Sequence, residues 1–257
     1  MKHLLFRYTF FLILLVLSKS CAKPTPFDHI ESEEVRTLLE KGISQAGGLN
    51  AWNQSPGYQF KKRTILYLAD GSIEMKNTQI VQFKDQPALE GSIIWNNASD
   101  TLSTKIEYKE RKAVKLINDE DQGQEINEAS RKSFLGAHIV MSMPFKLLDS
   151  GVNLTYGGEQ DQYGKKVKVL VADYNVENPN HTETHRWWHY FDATTHDYLG
   201  YKVFHPPTYA LVENLKTTSV NGITYPVDRI TWRVDSLDNK QYIRAKFAYS
   251  EYESLGE

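Results

Sequence analysis

Cysteine is almost missing from this chain, which has a single one, Cys21, in 257 residues. One sulfur excludes a disulfide framework and a cysteine-rich zinc module, because each needs at least a pair. The sequence also lacks the glycine repeat of collagen, the sustained heptads of a coiled coil and the repeated long apolar runs of a multi-span membrane protein. What remains is an ordinary globular composition, with 40% hydrophobic and 24% charged residues.

Aromatic residues are plentiful, with fifteen tyrosines, eleven phenylalanines and five tryptophans. Together with the β-branched residues they favour strands over helices. The formal net charge is −2, and it becomes −5 if residues 1–20 are removed, since that segment carries Lys2, Arg7 and Lys19 and no acidic residue. An acidic balance of this kind argues against a nucleic-acid partner.

The N-terminus has the pattern of an export signal. Lys2 and Arg7 precede a ten-residue apolar run, residues 8–17. This run is too short to cross a bilayer. Ser20 and Cys21 follow it, and this arrangement resembles the lipobox of bacterial lipoproteins. The resemblance implies cleavage before Cys21, lipidation of its sulfur, palmitate among the acyl groups, and acylation of the new amino group. The alternative is an ordinary secretory signal with a cysteine at this place by chance.

Lipidation at Cys21 would anchor the chain to a membrane, because three acyl chains exceed the two signals that stable anchoring needs. We therefore expect a signal peptide over residues 1–20, a lipidated anchor and spacer over 21–30, and a single folded domain over 31–257. The expected location is the cell envelope of a Gram-negative bacterium, with the domain facing the periplasm.

Two helices are expected within a β-rich body. Apolar residues at helical spacing predict a helix over residues 32–46, which has three glutamates at its N-terminal end and Gly47-Gly48 after it. A second helix is predicted from Asn127 to about Leu148, kinked or split by Pro144. Asp70-Gly71 is typical of a tight hairpin turn between the strands 58–68 and 72–83.

The rest of the chain reads as short strands separated by turns, which favours antiparallel pairing. In the C-terminal strands the alternation is clear, since Ile230, Trp232 and Val234 oppose Arg229, Thr231 and Arg233. Such alternation predicts a sheet with one buried and one wet face. Further strands are predicted at residues 89–95, 102–108, 113–117, 152–156, 166–174, 183–191, 198–204, 209–217, 223–225, 229–234 and 242–249.

The order of these segments resembles the LolA-like superfamily of periplasmic lipoprotein carriers. The resemblance rests on Gly47-Gly48-Leu49 with Trp52, on Tyr190-Phe191-Asp192 followed by Leu199-Gly200-Tyr201, and on the stretch from Val220-Asn221-Gly222 to Pro226. It implies an α+β fold, in which a strongly curved antiparallel sheet, an incomplete β-barrel, wraps around an N-terminal helix and a central helical segment. It also implies an apolar cavity for acyl chains.

Three histidines at spacings of four, His181, His185 and His189, are the most tempting chemical motif. The surrounding residues are typical of a strand, in which His185 and His189 would be about 13 Å apart, so we predict no metal site and no cofactor. No Gly-x-Ser-x-Gly elbow occurs. The acidic stretch 118–121, which begins with Asn118, is typical of a solvated turn. Paired carboxylates of a glycosidase stay an open alternative.

The apolar and aromatic surplus is the feature that best predicts a function, because ligand pockets are lined mostly by such groups. The expected function is binding or shuttling of a hydrophobic ligand, such as an acyl chain, a lipid or a lipoprotein, and not catalysis. The alternatives are a non-catalytic envelope scaffold with a protein partner and, less favoured, a periplasmic hydrolase. The residues expected to face the cavity are Leu66, Trp95, Phe134, Ile139, Met143, Trp187, Phe204 and Trp232.

Overall fold

The computed structural model describes residues 25–96, 102–174 and 186–256. Within these ranges the helices are α1 (Glu33–Gln45), α2 (Gly48–Gln54) and α3 (Gln124–Met141), and a short 3-10 helix spans Phe145–Leu148. Helix α1 begins where Ser32 Oγ accepts a hydrogen bond from the Val35 amide at 3.3 Å. Helix α3 begins after Asp121, whose Oδ1 accepts hydrogen bonds from the Gly123 amide and the Asn127 side chain.

Thirteen strands of the described residues form one antiparallel sheet. Its order is β6-β5-β4-β3-β2-β1-β13-β12-β11-β10-β9-β8-β7. Strands that follow one another in the chain therefore pair, except β6 and β7, and β13 returns to pair with β1. The sheet ends on β6 and β7 and is therefore open. The strands are β1 (Tyr58–Tyr67), β2 (Ile73–Lys84), β3 (Glu90–Asn96), β4 (Ser103–Lys109), β5 (Lys112–Ile117), β6 (Glu120–Asp121), β7 (Val152–Gln162), β8 (Lys165–Tyr174), β9 (Arg186–Asp192), β10 (Tyr198–His205), β11 (Thr208–Val220), β12 (Ile223–Val234) and β13 (Lys240–Ser254).

The sheet curves around the helices, which confirms the predicted incomplete barrel. We call the face towards the helices the inner face and the opposite one the outer face. The main core lies on the inner face, where residues of α1 and α3 pack with residues from strands across the whole sheet. Phe134 of α3, for example, stacks on Tyr108 at 4.6 Å and meets Phe83 edge-on at 5.2 Å, which fixes the helix against β2 and β4.

The predicted elements agree with the structure in kind and differ in extent. The central helical segment is split at Pro144 as expected, since α3 stops at Met141 and the 3-10 helix follows Pro144. Residues 223–225 and 229–234, predicted as two strands, belong to the single strand β12. Pro226 lies inside it because the ladder to β11 is irregular between Asn214 and Thr217, so this position tolerates a residue without an amide proton.

The outer face also carries an apolar cluster, which the sequence analysis did not foresee. Val167, Val169, Tyr190, Leu211 and Val234 are buried there. The two sides of β12 are therefore the reverse of what we expected. Its apolar residues Trp232 and Val234 pack on the outer face, and its polar residues Arg229 and Thr231 are buried on the inner face. A search of the described residues finds no helix long and apolar enough to cross a membrane.

Candidate functional site

An apolar cavity of about 400 Å³ lies between α3 and the inner face of the sheet. Helix α3 contributes Gly136, Ile139 and Val140, and the sheet contributes side chains from β8 to β13. The volume falls within the ~300–1,000 Å³ typical of small-molecule sites. Its apolar walls include Ile139, Val140, Trp187, Val203, Val212 and Phe247.

Packing around the cavity keeps its walls in place. The ring of Trp187 lies 4.7 Å from that of Tyr201 and 5.9 Å from that of Tyr174, so three aromatic side chains support one side. Gly136 leaves the opposite side open, because a Cβ built there would have no heavy atom within 4 Å. Lys132 and His205 are the basic residues of the lining. The arrangement suits a chain-like apolar ligand with a polar end.

Ile139 and Trp187 are the two sequence-predicted residues that line this cavity. Met143 lines a second cavity of about 270 Å³, next to Arg229, Asn214 and the end of α1. Phe134 is fully buried and fills the core instead of bordering a space. Leu66 and Trp95 are half-buried, and Trp95 packs against the inner core. The ligand-binding role of these residues stays a prediction.

Phe204 and Trp232 lie on the outer face, so they do not line the inner cavity as expected. Trp232 packs against the outer cluster, under the ammonium of Lys240 at 4.6 Å. Phe204 lies 4.7 Å from the ring of Tyr209, which belongs to the same cluster. The expectation failed because both faces of this part of the sheet are apolar, and alternation alone cannot tell which face meets the helices.

Two basic side chains on the inner face were not foreseen as site residues. Arg229 is only 4% exposed, and it donates hydrogen bonds to Asn214 Oδ1 at 2.9 Å and to the Val140 carbonyl of α3 at 3.1 Å. The Lys62 ammonium lies 5.3 Å from the centre of the Phe247 ring, a wall of the apolar cavity. We call Lys62 and Arg229 the cation pair. For Arg229 the signal was its alternation with the apolar residues of its strand, which we interpreted as a solvent-facing side; Lys62, between Lys61 and Arg63, gave no such signal.

His189 is completely buried, and its Nδ1 lies 3.0 Å from the hydroxyl of Tyr198. Burial lowers the pKa of His189 to about 3, so the imidazole is neutral at pH 7. As predicted from the strand pattern, Trp187 and Phe191 share its side of β9 while Trp188 and Tyr190 lie on the other. His181 and His185 lie outside the described residues, among which no group of three metal-binding side chains occurs.

Asp85, His138 and Lys146 form a buried ionic cluster beneath α3. His138 Nε2 lies 2.9 Å from Asp85 Oδ1, and Lys146 Nζ lies 4.0 Å from the same oxygen. Burial opposes ionisation of Asp85, yet the charge and hydrogen bond of His138 and the charge of Lys146 lower its pKa overall. His138 is 1% exposed, and the geometry of the cluster suits a role in fixing α3 to the end of β2.

Solved structures with the same architecture were found by comparison. A DUF1329 family protein from Desulfovibrio piger superposes with a TM-score of 0.57 at 9% identity, covering 88% of this chain and 95% of the other. A LolA superfamily protein from Nitrosomonas europaea gives 0.56 at 9% identity, covering 87% and 94%. The chain has a LolA-like fold.

A third similar structure, a domain named for outer membrane lipoprotein sorting from Vibrio parahaemolyticus, gives a TM-score of 0.52 at 9% identity over 85% of this chain and 94% of its own. Neither a protein family nor a curated protein matches the sequence. Identities this low establish the LolA-like fold alone, so the function has to be argued from the cavity.

Proposed function

We propose that this protein binds or carries a hydrophobic ligand, such as an acyl chain, a lipid or a lipoprotein, in the cell envelope. The observation that carries the proposal is the apolar cavity of about 400 Å³ between α3 and the inner face. At roughly 30 Å³ for a group of methylene size, the cavity holds on the order of a dozen such groups, or one acyl chain of moderate length.

The names of the similar structures support this proposal. Two of the three are named for the LolA superfamily and for outer membrane lipoprotein sorting. Burying one methylene group contributes about 0.8 kcal/mol, so a dozen provide enough free energy for a useful affinity even after the losses of immobilising the ligand.

The proposed arrangement in the envelope has three parts. Residues 1–20 act as a signal peptide, Cys21 carries the lipid anchor, and residues 31–257 form the ligand-binding domain. Cys21 and the whole signal lie outside the described residues. What supports the anchor is the charged and apolar pattern of the N-terminus followed by the only cysteine of the chain.

A variant that fills the cavity tests the proposal. Gly136→Trp places an indole where the structure has open space on the cavity side of α3. Ser133→Trp is the matched control, because Ser133 is exposed on the same helix and does not border the cavity. Binding of a fluorescent fatty acid is measured by titration, and co-purified lipid by native mass spectrometry.

We expect one fatty acid per unmodified protein, at least a tenfold loss of affinity in Gly136→Trp, and unchanged binding in Ser133→Trp. Circular dichroism and thermal unfolding would establish that both variants are folded. A protein that co-purifies with no lipid and ignores the probe, or a Gly136→Trp variant that binds as well as the unmodified protein, would refute the proposal.

A further inference from the structure

The cation pair is unusual because neither charge has a counter-ion among the described residues. Lys62 projects from the inner face of β1, as do Tyr58 and Phe60, which belong to the core. In the described part of the chain, no carboxylate lies within 4 Å of Lys62 or of Arg229, although fifteen ion pairs with other partners occur there. Buried charges are normally paired, so the buried Arg229 and the half-buried Lys62 represent an unmet electrostatic demand.

Lys202 on the outer face shows how this fold treats a buried cation elsewhere. Its ammonium is packed over the ring of Trp188 at 4.6 Å, as Lys62 is over Phe247, but it also forms an ion pair with Asp238 at 2.7 Å. On the outer face, the aromatic contact of Lys202 is accompanied by a carboxylate, whereas on the inner face the aromatic contact of Lys62 is not.

Arg229 retains hydrogen-bonding capacity. A guanidinium has five N–H donors, and Arg229 uses three, towards Asn214 Oδ1, the Val140 carbonyl and the Tyr249 hydroxyl. All three acceptors are neutral. Two N–H groups of Arg229 therefore remain. Lys62 is close by, because it pairs with Tyr249 in the ladder and lies over Phe247, the residue that pairs with Arg229.

The cation pair lies behind the wall of the apolar cavity, since neither Lys62 nor Arg229 is itself a lining residue and Arg229 lines the second cavity. Phe247, which lies under the Lys62 ammonium, and Val140, whose carbonyl accepts from Arg229, both line the cavity wall. Thr231, two residues from Arg229 on the same side of β12, lines it as well. Two residues of the apolar wall are thus in contact with the cation pair, a combination that matches an amphiphile with an anionic head.

We propose that the cation pair binds the carboxylate of a single-chain fatty acid whose hydrocarbon chain occupies the apolar cavity. This inference rests on the proposed function and narrows its ligand class. Hydrogen bonds between charged partners are about twice as strong as neutral ones, and a guanidinium suits the planar carboxylate. The room for about a dozen methylene groups suits one chain better than the two chains of a phospholipid.

The test compares two probes of equal length that differ in charge, dodecanoate and 1-dodecanol, at pH 7. The full 257-residue chain is expressed with Cys21→Ser, so that it carries no acyl chain of its own, and is delipidated on a hydrophobic resin. Affinities are measured by displacement of a fluorescent fatty acid. Lys62→Met removes one charge of the pair, Lys62→Arg keeps it, and Lys61→Met is the control.

Lys61 is the neighbouring residue on β1 and projects from the outer face, where it pairs with Glu251 at 3.0 Å. Its replacement changes the net charge by the same amount and leaves the cavity untouched. We expect dodecanoate to bind at least tenfold more tightly than dodecanol. Lys62→Met should lose most of that preference with dodecanol binding unchanged, whereas Lys62→Arg and Lys61→Met should retain it.

Equal affinities for the two probes in the unmodified protein, or a preference unaffected by Lys62→Met, would overturn the carboxylate assignment and leave the proposed function standing. Binding of neither probe would refute the proposed function and this inference together. A Lys61→Met variant that loses the preference as strongly as Lys62→Met would also overturn it, because the effect would then come from overall charge.

Discussion

Burial of His189 makes the stability of the protein sensitive to acid. The pKa of this imidazole falls to about 3 in the folded state, against about 6.5 in an unfolded chain. Between these values only the unfolded chain takes up the proton, so stability decreases as the pH falls below about 6.5. The expected slope is about 1.4 kcal/mol per pH unit, measured by urea unfolding between pH 7 and pH 4.5.

His189→Phe should remove this part of the acid sensitivity, because it keeps an aromatic ring beside Trp187 and has no group to protonate. His29→Gln is the control, since His29 is exposed and its loss should leave the slope unchanged. If His189→Phe and the unmodified protein lose stability in parallel on acidification, the buried imidazole is not the cause.

Lys62 should cost stability in the empty protein. Burial and the neighbouring Arg229 lower the pKa of Lys62 to about 8, which means that the fold disfavours its charged form. The cost is fully present below pH 8 and disappears as the pH rises towards 10.5, where the unfolded chain also loses the proton. Lys62→Met should therefore stabilise the ligand-free protein by roughly 1–3 kcal/mol at pH 7 and by less at pH 10.

Unfolding of Lys62→Met by guanidinium at the two pH values measures this difference. A residue retained at the expense of stability suits a binding role better than a structural one. A loss of stability in Lys62→Met at pH 7 would mean that the lysine supports the fold, contrary to the argument for an unpaired charge.

At the scale of the elements, close packing fixes α1 against the sheet through Gly42. A Cβ at this position would lie 2.4 Å from Cε1 of Phe191, a ring that is fully buried and cannot move aside. Gly42→Ala should destabilise the protein by about 1–3 kcal/mol despite the better helix propensity of alanine. Gly136→Ala on α3 should instead stabilise it by up to about 1 kcal/mol, because its Cβ meets nothing.

Chemical denaturation of both variants gives the two free energies under identical conditions. The opposite signs are the decisive feature, since each change adds one methyl group to a helix. If Gly42→Ala were as stable as Gly136→Ala, the contact between α1 and β9 would be looser than the structure shows.

Strand β12 shows how far the sequence could predict the elements and the site. Its alternation predicted a strand, and the strand is present. The same alternation could not tell which face meets the helices, because Val234 and Trp232 find apolar neighbours on the outer face while Arg229 finds neutral acceptors inside. The neighbours that a strand residue meets on its face of the sheet come from distant strands or helices, and no local sequence pattern identifies them.

At the scale of the whole molecule, the topology followed from short turns, whereas the cavity did not follow from any motif. Hairpins such as the one at Asp70-Gly71 force neighbouring strands into antiparallel pairs, so the meander was predictable. The closing pair of β1 with β13 joins residues about 190 apart and places Lys62 beside Tyr249. The cation pair arises from this long-range pairing, which is why sequence reasoning missed it.

The proposed anchoring of the whole molecule depends on one residue, Cys21. With palmitate-like chains attached, the protein should sediment entirely with membranes, because each buried methylene contributes about 0.8 kcal/mol and three chains exceed what stable anchoring needs. Cys21→Ser should either release the protein to the soluble fraction or leave an unprocessed precursor, seen as a larger mass.

The anchor and the cavity lie in separate parts of the proposed arrangement, so released Cys21→Ser protein should still bind the fluorescent fatty acid. A Cys21→Ser product that is processed, of mature size and still fully membrane-bound would contradict the lipoprotein assignment, whereas loss of binding together with release would mean that the bound chain is the protein's own anchor.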